Sequence, residues 1–118
     1  VVAERLMPAV GTASGSSVAS VFILMEAMAD ACVKLGMGRE QAYVFVGQAV
    51  KGGAAMMLET KKHPGVLKDM VCSPNGTTIA GVKALEKAGF RYAVMDALDA
   101  CAKRTEEMAQ ASSTVKKR

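Results

Sequence analysis

The 118-residue chain contains no tryptophan, a single histidine, three prolines and three cysteines, and only 4% of it is aromatic. Cys32, Cys72 and Cys101 are odd in number and far apart. That argues against a disulfide scaffold and against a cysteine-based zinc site, and fits a reduced, cytosolic compartment. His63, beside Pro64, reads as a loop or helix-start residue rather than a ligand, so no metal site is expected. The most apolar run, Val18–Met25, is closed off by Glu26 and Asp30, short of the roughly 18 residues that span a bilayer. No membrane segment is expected. Nor is there a signal peptide, because Glu4 and Arg5 do not follow the basic-then-apolar order.

Positive charge is also scarce where it would matter. The net charge is +4, and Lys116, Lys117 and Arg118 carry +3 of it, leaving +1 for the body (4 − 3). No helix carries a Lys/Arg stripe with interleaved aromatics, so a nucleic-acid partner is not expected. Residues 111–118 read as a basic, flexible tail.

What the chain has in quantity is aliphatic mass: 51% hydrophobic residues, including nine Met. Ala, Leu and Met are strong helix formers. The expectation is an all-α domain, a bundle of four to five helices over residues 18–110. Apolar steps of three and four place helices at about Val18–Leu35, Arg39–Lys61, Thr77–Lys87 and Phe90–Met108, with a short helix or turn at His63–Val71. Val94, Leu98, Cys101 and Ala102 mark the inner face of the last. Residues 1–17 read as a lead-in, with the flexible Ala9–Ser17 segment entering a helix capped by Ser16 or Ser17. The opening at Val1, without an initiator Met, reads as a piece of a longer chain.

The second helix is apolar almost all the way round, through Tyr43–Val46, Ala49–Val50 and Ala54–Leu58, which implies burial on all sides. Its Gly47, Gly52 and Gly53 imply a backbone passing close by, from the same chain or a second subunit. A homodimer is the expected partner. Glu26 and Asp30, four residues apart, read as surface or interface charges rather than a catalytic carboxylate pair.

The segment Val71–Gly81, VCSPNGTTIAG, concentrates small hydrogen-bonding groups at a helix start. First-turn amides lack internal partners and, with the helix dipole, attract anions. Two readings stand side by side: plain N-capping by Thr77 or Ser73, and a site for a carboxylate or phosphate.

The longer stretch HPGVLKDMVCSPNGTTIAGVKALEKAGFR closely resembles the signature of pyrroline-5-carboxylate reductases, H-P-x-x-L-K-D-x-V-x-S-P-G-G-T-T-I followed by L-E-x-x-G-F-R. FILMEAMADACVKLGMGREQAY resembles that family's first long helix, glycine break and second helix start. The resemblance runs from about Ser14 to about Met108 and concerns the family's carboxy-terminal helical domain. The glycine-rich dinucleotide fingerprint is absent from these residues, so residues 1–17 would lead in from a preceding dinucleotide-binding domain.

The resemblance implies an intertwined homodimer, with rings of dimers as a further level, and reduction of 1-pyrroline-5-carboxylate to proline with NADPH or NADH. No cofactor is expected on this chain by itself. It implies a small-molecule substrate site at Ser73, Asn75, Gly76, Thr77 and Thr78. Thr78 would be the catalytic residue, hydrogen-bonding the ring nitrogen. Gly15 and Ser16 would border the nicotinamide. Two positions depart from the pattern. Ser16-Ser17-Val18-Ala19-Ser20 follows Gly15 where the family has G-S-G-P-A-Y, and Asn75 stands where it has Gly. The first departure supports an alternative, a catalytically degenerate oligomerisation module of the same fold.

Overall fold

The computed structural model describes residues 2–116, with side chains to Thr114. Among the described residues all regular structure is helical: α1 (Met7–Gly11), α2 (Ser17–Lys34), α3 (Arg39–Thr60), α4 (Pro64–Met70), α5 (Thr77–Lys87) and α6 (Phe90–Lys116). The all-α expectation holds. The chain divides into two units, one made of residues 1–22 with 90–118, the other of residues 23–89.

In the first unit, the expected linker is helix. A 3₁₀ turn (Glu4–Leu6) leads into α1, and a π turn (Thr12–Ser16) leads from α1 into α2. Helix is therefore continuous from Glu4 to Lys34. Gly11 and Gly15 are tolerated within it. Ser14 and Ser17 donate their hydroxyls to the carbonyls of Val10 (2.6 Å) and Ala13 (2.5 Å) instead of capping a start. This back-bonding to residue i−4 is how mid-helix serines are accommodated, and it replaces the predicted Ser16 or Ser17 N-cap. The apolar stretch does not stop where the sequence pattern suggested. By length and composition alone, the Glu4–Lys34 helix is long and apolar enough to cross a membrane, with a mean hydropathy of 1.5 over its most apolar 18 residues. The π turn packs on α6 and buries Thr12, whose Oγ1 has no hydrogen-bond partner. On α6, Leu98, Cys101 and Ala102 are half-buried as expected, but Val94 is exposed. That helix continues through residues 111–116, so the segment read as a flexible tail is largely helical; Lys117 and Arg118 lie outside the described residues.

In the second unit, α2 ends in a glycine-terminated reversal. Gly36, at φ 106°, donates to Val33 O (2.9 Å), and Met37 donates to Cys32 O (3.1 Å). This pairing satisfies the last carbonyls and needs a left-handed residue, which glycine supplies. The chain then turns into α3. Ala29, Ala42 and Val46 form a small core, with Met25, Cys32, Val33, Met37 and Val50 packed against it. Across the reversal, Arg39 Nη1 bonds Asp30 Oδ1 at 2.7 Å and lies 3.5 Å from Tyr43 Oη. The hydrogen bond to Asp30, then that to Tyr43, raises the Arg39 guanidinium pKa above its ordinary value. Asp30 thus serves as an ion-pair partner, as a surface-charge reading implies.

The expected all-round burial of α3 is not met within the chain: Phe45 is 59% and Leu58 71% exposed. Nor, apart from the adjoining residues and backbone of α3 itself, does any atom of the described residues lie within 4 Å of where a Cβ would stand on Gly47, Gly52 or Gly53. The described residues therefore do not cover this apolar surface, and none of their backbones makes the close approach that the glycines allow.

Candidate functional site

The chain reaches the candidate site through three local devices. Lys61 ends α3 at φ 58°, donating to Met57 O at 3.0 Å. His63 then caps α4, its Nδ1 accepting from the Gly65 amide at 2.9 Å, with Pro64 at the first helical position. The lone histidine is therefore a helix-start residue. Along α3 and α4, Gly52, Gly53, Met56, Leu67, Met70 and Val71 line an open apolar groove of about 460 Å³.

After α4, Ser73–Gly76 forms a hydrogen-bonded turn in which the Gly76 amide donates to Ser73 O at 3.1 Å. Pro74 occupies the second position, and Asn75 the third, at φ 56°. These are the marks of a type II turn, which requires a positive φ at its third residue. Asn enters that region more readily than other residues with a side chain, so this departure from the family's Gly keeps the turn.

Gly76, at φ −86° and ψ 179°, is the N-cap of α5, and no side chain bonds into that cap. The capping reading for Ser73 and Thr77 is therefore not realised. The amides of the first turn, at Thr77, Thr78 and Ile79, lie at the positive end of an 11-residue helix without intrahelical acceptors. The Gly76 amide is spent on the turn and is not among them. Gly76 is glycine for reasons of space, since its φ is open to any residue. A Cβ there would collide with Ser73 Oγ and come within 3.2 Å of Ser73 O. The Ser73 hydroxyl thus sits against the bare Cα of Gly76.

The fold brings Ser73, Asn75, Gly76, Thr77 and Thr78 together at one helix start, all exposed except the half-buried Gly76. Gly15 and Ser16 belong to the other unit, exposed on the π turn, with open space where a Gly15 Cβ would stand. The π turn itself was not foreseen. π turns are often found at functional sites, but its residues carry no periodic signal that distinguishes one from a flexible serine-glycine segment. Among the described residues, no group of His, Cys, Asp and Glu could hold a metal ion.

An all-helical chain with such broad exposed apolar faces belongs to the class of self-associating helical domains. The model of the pyrroline-5-carboxylate reductase dimerisation family matches residues 4–108, and the chain belongs to that family. It is 54% identical over 110 residues to the pyrroline-5-carboxylate reductase of Escherichia coli, covering 93% of this chain and 41% of that protein. It is 50% identical over 107 residues to the Arabidopsis thaliana enzyme of the same name, covering 91% and 39%. Among solved structures, the Streptococcus pyogenes 1-pyrroline-5-carboxylate reductase superposes with a TM-score of 0.87 at 32% identity, covering 91% of this chain and 41% of that one. The Plasmodium falciparum pyrroline carboxylate reductase, crystallised with NADP bound, gives 0.85 at 34% identity, covering 91% and 43%. The chain thus spans about two-fifths of the length of these relatives.

Proposed function

We propose that these residues form the dimerisation and substrate-binding part of an enzyme that reduces 1-pyrroline-5-carboxylate to proline. The observation that carries this reading is the turn Ser73–Gly76 delivering uncapped Thr77 and Thr78 amides at the start of α5. Those amides hold the substrate carboxylate, and the Ser73 hydroxyl adds a donor beside them. The Asn75 carboxamide borders the same turn. Thr78, one residue into the helix, places its hydroxyl at the ring nitrogen of the C=N bond. A hydride added to the carbon of that bond leaves an electron pair on nitrogen, which takes up a proton. A threonine hydroxyl is a weak acid, so Thr78 orients the nitrogen and relays a solvent proton rather than acting as the acid itself.

NADPH or NADH supplies the hydride when bound. Gly15 and Ser16 suit contact with the nicotinamide, because the open Gly15 leaves the backbone approachable.

Self-association follows from surface. The chain exposes a broad apolar surface that includes Phe22, Phe45 and Leu58. A homodimer, with dimers assembling into rings, covers it and supplies the backbone that Gly47, Gly52 and Gly53 await. It also accounts for the exposed apolar side of Glu4–Lys34 without a bilayer. Three free, half-buried cysteines suit the cytoplasm.

The test is an NMR titration of the chain with proline, its oligomeric state measured alongside. Shifts confined to amides between Ser73 and Ile79 are expected. A dimer in which none of these amides moves would overturn the site. A second reading, a helical module that keeps the fold without catalysis, is favoured by the helix running unbroken through Ser14–Val18. It predicts proline binding without turnover in the full-length protein.

A further inference from the structure

We draw no further inference here: the strongest candidate, the apolar groove of α3 and α4 lined by Gly52, Gly53, Met56, Leu67, Met70 and Val71, carries nothing beyond the self-association already proposed, because nothing in the structure shows what covers it.

Discussion

Replacing Asn75 tests the turn and the site together. Its φ of 56° is left-handed, a region that costs an ordinary L-residue about 1–2 kcal/mol and a β-branched one at least as much. Asn75→Val must therefore either bear that strain or give up the turn. If the turn holds, a domain of this size loses about 4 °C of Tm per kcal/mol, so the melt should fall by about 4–8 °C. If the Pro74–Asn75 peptide flips instead, the third residue moves to a negative φ, as in a type I turn. The Thr77 and Thr78 amides then shift with it. Restoring them on binding costs the same 1–2 kcal/mol, which weakens proline binding by roughly 5- to 30-fold. Asn75→Gly should melt close to the parent and bind normally, since glycine adopts the angle freely. Scanning calorimetry at one fixed protein concentration, which holds the dimer equilibrium constant, and the NMR titration above supply both readings. An Asn75→Val protein that melts within a degree of the parent and binds proline unchanged would refute the left-handed turn as a determinant of the site.

The other expectations concern separate parts of the molecule. In the full-length enzyme, Thr78→Ala should lower kcat by about 10²–10³, the usual loss for one positioned donor, and Thr77→Ala by much less; equal, small effects would reduce both threonines to helix-start residues. Gly76→Ala should weaken proline binding more when Ser73 is present than in a Ser73→Ala background, because the added Cβ meets Ser73 Oγ; identical effects in both backgrounds would mean that the hydroxyl simply rotates away. His63→Ala should cost about 1 kcal/mol by removing the acceptor for the Gly65 amide, read as a lowered denaturation midpoint with unchanged m-value. Phe45→Asp combined with Leu58→Asp should dissociate the dimer in sedimentation velocity; a dimer that survives both changes would place the interface elsewhere.

The helices were legible because their signals are local. Three- and four-residue apolar spacing and Pro64 at a first turn act within a few residues of themselves, and α3 and α5 start where the pattern placed them. The candidate site was legible as a cluster for the same reason: Ser73 to Thr78 are neighbours in the chain. Which amide is free was not legible, because that depends on the turn drawing the Gly76 amide to Ser73 O. The Ala9–Ser17 segment misled because serine and glycine score as breakers when isolated. Here α1 and the π turn pack on α6 and stay helical, with Ser14 and Ser17 satisfied by back-bonding. What covers α3, the same chain or a second subunit, was not legible for a different reason. A sequence shows that a surface is apolar and must be covered, but not whether the cover belongs to the same molecule. Only the tertiary structure, with a core among the described residues limited to Ala29, Ala42 and Val46, shows that these residues do not cover their own apolar surface.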